Sequence, residues 1–291
     1  YLGDLLKKIV KSLGSATIIN AIASGYGSAF GIDLNIECEV KTNNKDKILA
    51  NSDIGVDTKL MEMCVKSVLN HYGVDCGVDV KTKTNLPLAS GLSSSSALSN
   101  GVVKATSLLI ADEFGVEPLS DMEILNIAID TSLDAKVTIT GSFDDASASY
   151  FGGVVVTDNY NRKLLVKEPM EENSVLIFLV DRESSTYNSD RSRMQLMAPM
   201  VDLAFEQAKN KNYYLALNLN GLLYSNALGY DPNIELDALS AGALASGLSG
   251  TGSAISAIVT DKSIDKVKDA WSSYEGQIIE TKVNNEGSIE L

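Results

Sequence analysis

Histidine is almost missing from this chain of 291 residues, His71 being the only one. That count excludes a Ser-His-Asp triad built on any other histidine, and it excludes histidine-rich metal centres. His71 falls in a helical pattern with Leu60, Met63, Cys64, Val68 and Leu69, far in sequence from any loop with chemistry. It reads as a surface or helix-end residue. Cysteine is scarce too: Cys38, Cys64 and Cys76 are odd in number and show no Cys-x-x-Cys spacing. A disulfide framework or zinc site is therefore not expected, and a reducing cytoplasm fits. Positive charge is in deficit, with 24 basic against 38 acidic residues and a net charge of −14. Such a balance disfavours a general nucleic-acid binder, which needs clustered cations. No apolar run is long enough to span a membrane, and no secretory core is visible. Gly-x-x-x-x-Gly-Lys-Ser/Thr does not occur, so any phosphate cradle here is not a P-loop.

The chain does have a run of small residues, Leu86-Pro-Leu-Ala-Ser-Gly-Leu-Ser-Ser-Ser-Ser-Ala97, leading into an apolar helical pattern at Val102, Val103, Ala105, Leu108 and Leu109. A Gly/Ser loop opening a helix lets several backbone N–H groups converge where the helix dipole is positive, a setting that suits phosphate. The serines add hydroxyls that can bond phosphate oxygens or ligate a hard cation. A plain Gly/Ser linker is the competing reading, and the flanking Pro87 and immediate helix oppose it. A second loop, Gly247-Leu-Ser-Gly-Thr-Gly-Ser-Ala254, opposes it further; read alone, that loop is a tight turn between a helix and a strand.

Between these loops the period of the pattern changes several times. Leu2, Leu5, Leu6, Ile9, Val10 and Leu13 lie opposite Lys7, Lys8 and Lys11, which predicts an amphipathic helix over residues 1–13, packed on the domain, a partner or a membrane surface. We expect this segment to be a processed or appended leader without chemistry. Ile32, Leu34, Ile36, Cys38 and Val40 alternate with polar residues and predict a half-buried strand that takes Cys38 into the core. A helix near 59–72, a strand near 77–84 and a helix opened by the capping-box pair Ser120 and Glu123 follow. Strands are expected at 153–157, 163–167 and 175–180, a mobile loop at 181–193, and helices at 195–210, 213–228 and 234–245. The chain then closes with a strand, helix and strand at 254–260, 263–272 and 277–283. Strands and helices mix without strict alternation, so the class is α+β in two layers. A boundary near 160–175 divides the chain into residues 14–165 and 166–291. Asp144-Asp145 lies between short apolar segments; alone, such a pair reads as a solvated turn or helix cap.

The pattern from Pro87 to Ala97 resembles the phosphate-binding motif of the GHMP small-molecule kinases. Gly247–Ala254 resembles their C-terminal glycine-rich motif, and Thr138–Gly153 resembles their acidic active-site segment. Thr17–Gly25 with Gly27–Asp33, and Leu219–Asp231, look like the archaeal-type shikimate kinase family. The resemblance runs from about Gly14 to the C-terminus. It implies a two-lobed fold with mixed and antiparallel sheets, an active site between the lobes, and transfer of phosphate from ATP, with Mg²⁺, to a small alcohol. Shikimate at its 3-hydroxyl is the favoured acceptor. Homoserine or mevalonate is the rival within the class, and a non-catalytic nucleotide or metabolite sensor is the rival outside it. Implied partners are ATP and shikimate, with no nucleic acid and no membrane; a homodimer is left open.

Carried over residue by residue, the resemblance makes Pro87, Ala89, Ser90, Gly91, Leu92, Ser93, Ser94, Ser95 and Ser96 the phosphate loop, and Gly250, Thr251 and Gly252 the second loop. Ser95 becomes the Mg²⁺-ligating hydroxyl, with Ser94 as a neighbour able to substitute. Asp145, eight residues before Gly153, becomes the carboxylate that takes the proton or orients the alcohol, with Asp144 sharing the work. Asp134, eleven residues earlier, stands where the superfamily has a Mg²⁺-binding glutamate. Tyr26 stands where close relatives have lysine, and Ser253 where relatives often have proline. For the acid group of shikimate, which needs a cation, the chain offers Arg162, Arg182, Arg191 and Arg193 as its only arginines. Arg191 and Arg193, two apart, share one face of an extended segment and could pair with a carboxylate.

Overall fold

The computed structural model describes residues 6–53, 58–138, 140–181 and 191–291. Its first sheet is built around two long antiparallel strands, β1 (Lys7–Ile19) and β2 (Tyr26–Asn43). In β2 the expected alternation holds: Ile32, Leu34, Ile36, Cys38 and Val40 are buried, while Asp33, Asn35, Glu37, Glu39 and Lys41 keep some exposure. Because β2 is long, it serves two partners along one edge. Ile36–Asn43 pairs with β4 (Gly77–Thr84) and Tyr26–Phe30 pairs with β5 (Val154–Asp158). β3 (Ile48–Ser52) runs parallel to β4, and β6 (Lys163–Glu168) closes on β5.

The amphipathic helix expected at 1–13 is not formed where the chain is described: from Lys7 onward it is β1, and residues 1–5 lie outside the described residues. Helical spacing of Leu, Ile and Lys cannot report a partner strand, and β1 has one on each side. It pairs with β2 along its length and with β11 (Ile289–Glu290) at Val10 and Lys11. The lysines read as a polar helix face instead pair with neighbouring elements: Lys8 reaches Asp112 of a packed helix at 2.7 Å and Glu290 of β11 at 2.9 Å, and Lys11 reaches Asp33 of β2 at 3.2 Å.

Helices α1 (Lys59–Tyr72), α2 (Ser94–Phe114) and α3 (Asp121–Asp134) pack together, with α2 against β1 and β2. α1 buries Leu60, Met61, Cys64, Val65, Val68 and Leu69 and stops at Gly73, whose φ of 65° few other residues tolerate. His71 stands exposed in its last turn. The capping box forms as expected: Ser120 N donates to Glu123 Oε2 at 2.8 Å, and Glu123 N to Ser120 Oγ at 3.4 Å. A short helix, α4 (Phe143–Phe151), packs on β1, β2 and β5.

The second sheet is antiparallel, ordered β10 (Gly276–Lys282), β7 (Ser174–Val180), β9 (Ala254–Val259), β8 (Ala245–Leu248). The helix expected to run to Ala245 ends earlier, as α8 (Asn233–Ser240), because Ala245–Leu248 pairs with β9 and extends the sheet. α5 (Arg191–Gln195), α6 (Ala198–Lys209), α7 (Tyr213–Leu228) and α9 (Ile264–Trp271) complete the fold. α7 packs on both β8 and β1, tying the two sheets together. No helix among the described residues is long and apolar enough to cross a membrane.

Candidate active site

Between the loop before α2, the start of α4 and the β8–β9 connection lies a cavity of about 550 Å³, within the usual size of a small-ligand site. Leu88, Ala89, Gly91 and Ser93, Ser94, Ser95 and Ser96 form one wall. Gly250, Thr251 and Gly252 form another, with Asp144 and Asp145 between them. Three residues of the expected phosphate loop do not reach the cavity. Leu92 is buried in the core, and Ser90 Oγ donates to the carbonyl of the third, Pro87, at 2.9 Å. Ala89 and Ser93 have φ of 50° and 61°, a left-handed backbone that non-glycine residues adopt at a cost and that recurs at ligand sites.

The two glycine loops meet backbone to backbone. Ser249 Oγ donates to the Gly91 carbonyl at 2.8 Å, and Ala254 N donates to the Ser90 carbonyl at 2.8 Å. A Cβ on Gly91 would sit 2.2 Å from the Ser249 carbonyl oxygen, so only glycine permits this approach. Strand β1 ties both loops to the acidic pair. Thr17 N donates to Ser249 Oγ at 3.0 Å, Gly250 N donates to Thr17 Oγ1 at 2.9 Å, and Asn20 Nδ2 donates to the Gly250 carbonyl at 2.8 Å.

Asp144 and Asp145 occupy the first turn of α4. Asp144 is buried and its Oδ1 accepts from Asn159 Nδ2 at 2.8 Å. Burial pushes its pKa up, and the Asn159 bond offsets part of the rise. Asp145 is only half-buried as a residue, yet its acidity is moved further. Burial first, and then the charge of Asp144, raise its pKa well above the usual carboxylate value, while the hydroxyls of Ser93 and Thr17 pull it back. Its Oδ1 is buried with no hydrogen-bond partner among the described residues. A carboxylate so placed, with a raised pKa, has the makings of a general base.

The other expected site residues stand apart. Asp134 ends α3, is exposed, and does not line the cavity. Arg191 and Arg193 lie on α5. The expected extended segment sharing one face is thus replaced by a helical turn at these positions; the preceding residues 182–190 lie outside the described residues. Arg193 is exposed and does not line the cavity. Tyr26 stacks on Phe205 of α6, with ring centroids 4.9 Å apart, so a ring contact occupies the place expected of a cation. Sequence reasoning attached no chemistry to Thr17, Asn20, Ser249 or Asn159. Thr17, Asn20 and Ser249 lie in stretches already singled out, but only the fold brings them against one another and the serine loop.

The GHMP kinases N terminal domain model matches residues 59–153, and the GHMP kinases C terminal model matches residues 234–276. The chain is 57% identical over 285 residues to a shikimate kinase of Methanobrevibacter smithii, covering 97% of this chain and 98% of that protein. To a shikimate kinase of Methanothermobacter thermautotrophicus it is 52% identical, covering 98% of each. Among solved structures, homoserine kinase from Cytophaga hutchinsonii shares the fold with a TM-score of 0.75 at 18% identity, over 100% of this chain and 98% of that one. Methanococcus jannaschii mevalonate kinase does so with a TM-score of 0.75 at 15% identity, over 98% and 100%. With two glycine loops closed on a buried aspartate and kinship running almost end to end, the chain belongs to the GHMP kinases, in the family of archaeal shikimate kinases.

Proposed function

We propose that this chain transfers the terminal phosphate of ATP to the 3-hydroxyl of shikimate. The observation that carries the chemistry is Asp145, half-buried on the cavity wall with one buried, unpartnered oxygen beside the serine loop. The acceptor is supported by the near full-length kinship to proteins named shikimate kinase.

In this reading the N–H groups at the start of α2 and the hydroxyls of Ser93–Ser96 hold the triphosphate, and Gly250–Gly252 closes over it. The hydroxyl oxygen of the acceptor bonds to the γ-phosphorus. The bond from that phosphorus to the β–γ bridging oxygen breaks, and ADP leaves. The hydroxyl proton passes to Asp145 and from there to solvent. Asn159 and the start of α4 hold Asp144 in place, and its charge keeps the pKa of Asp145 high, which makes the ionised form a better proton acceptor.

The donor set fits Mg²⁺: serine hydroxyls and carboxylates are hard oxygen ligands, and Mg²⁺ bound with a nucleotide needs only one or two of them. Ser95, on the cavity wall, is the residue assigned to it; Asp134, exposed at the end of α3 and off the cavity lining, is left out of this set. The ion would offset charge on the phosphate oxygens. The three free thiols, with Cys38 and Cys64 buried in the core, suit a cytoplasmic enzyme.

The test is ADP release with ATP and Mg²⁺, comparing shikimate, homoserine, mevalonate and no acceptor. Turnover with shikimate alone is expected. Turnover with another acceptor and none with shikimate would overturn the assignment.

A further inference from the structure

One cation on the cavity wall has no part in the scheme above. Lys136 lines the cavity just past the end of α3, and its side chain makes no ion pair or hydrogen bond among the described residues. Its φ is 59°, in the left-handed region that glycine enters freely and lysine does not. Here it terminates the helix: Lys136 N donates to the Leu133 carbonyl at 3.0 Å and Val137 N to the Ser132 carbonyl at 3.1 Å.

Its position follows from the packing of two helices. α2 and α3 are joined by residues 115–120 and lie side by side, an antiparallel hairpin. The hydroxyls of Ser132 on α3 and Ser99 on α2 are 3.2 Å apart, and Ser99 Oγ donates to the Ser95 carbonyl at 3.0 Å. Lys136 follows Ala135, the residue that caps the end of α3, four residues after Ser132; one turn back from Ser99 along α2 is Ser95. The antiparallel arrangement sets Lys136 level with the start of α2, where N–H groups and serine hydroxyls converge. A triphosphate brought there adds negative charge to a cavity that already holds Asp144 and Asp145, in a chain of net charge −14. A free ammonium at the same level offsets it.

We propose that Lys136 is a phosphate-binding residue, its ammonium pairing with the triphosphate of the nucleotide across the start of α2. This rests on the kinase reading and adds to it a contact from the α3 end. Because Lys136 is exposed, the pairing is screened by salt and moderate in strength.

Binding of Mg²⁺-ATP and of adenosine to the wild-type chain and to Lys136→Met, Lys136→Arg and Lys136→Gly tests it. Lys136→Met should weaken ATP about fivefold at low salt, less at high salt, and leave adenosine affinity unchanged. Lys136→Arg should restore most of the loss. Lys136→Gly should lose ATP affinity to the same degree while melting at a higher temperature, because glycine relieves the left-handed backbone. Equal weakening of ATP and adenosine would mean a disturbed cavity and would overturn the proposal. So would unchanged ATP affinity, or a loss confined to the KM of shikimate. A wild-type chain that binds ATP and turns over shikimate, beside a Lys136→Met variant that does both equally well, removes this inference and leaves the kinase reading standing. A wild-type chain that does neither removes both.

Discussion

Among the buried ionisable groups, Glu235 offers the sharpest test, because its cost can be worked out from its surroundings. It lies in the first turn of α8 with no solvent exposure, between α7 and the strand that leads into the second glycine loop. Ser225 Oγ donates to its Oε1 at 2.6 Å, and the Leu248 N–H adds a second bond. Oε2 has no partner among the described residues. Burial therefore outweighs the two bonds and raises its pKa from 4.5 to about 7. The folded chain holds this proton more tightly than the unfolded chain does. The stability this supplies is complete below pH 4.5 and is lost as pH rises to about 7, after which the curve flattens. The size of the loss is about 3 kcal/mol, from 1.36 kcal/mol per pH unit. Glu235→Gln keeps an oxygen for Ser225 and cannot ionise. The stability difference between variant and wild type should thus grow in favour of the variant by about 3 kcal/mol between pH 4.5 and pH 8. Urea denaturation of both proteins across that range measures it, and comparing the two cancels other groups that titrate in the window. Parallel pH curves for the two proteins would refute the argument.

Three further outcomes follow from the site. Asp145→Asn should lower kcat by at least about a hundredfold with little change in nucleotide affinity, and should stabilise the fold near neutral pH by removing one of two neighbouring carboxyls of raised pKa; equal losses in kcat and affinity would count against its role. Thr17→Val removes a hydroxyl that lowers the pKa of Asp145, so the acidic limb of the kcat profile should move to higher pH. An unmoved limb would mean that the bond does not act on the base. Gly91→Ala places a Cβ 2.2 Å from the Ser249 carbonyl oxygen at a φ of 84°, and should cost at least about 2 kcal/mol of stability in a denaturant titration, together with ATP binding.

Where local chemistry decides an element, the sequence was a sufficient guide. Helix 59–72 and strand 77–84 fall where periodicity puts them, and Ser120 with Glu123 opens α3 through a cap made by those two residues alone. The N-terminal segment shows the limit. Its apolar spacing satisfies a helix, yet its hydrogen bonds go to β2 and to Ile289 near the other end of the chain, and no local pattern records such partners. Residues 234–248 fail for the same reason, since Ala245–Leu248 becomes a strand through β9.

The site divides along the same line. The chain itself carries the glycines that let two loops touch, the serines that open α2, and the adjacent aspartates, because each follows from a residue type and its immediate neighbours. Tertiary structure alone sets Thr17 between Gly250 and Asp145, packs the C-terminal loop on Gly91, and buries the aspartates deeply enough to change their acidity. Hydrogen bonds across more than two hundred residues and the loss of water around a carboxyl depend on which surfaces meet, and that is a property of the packed molecule.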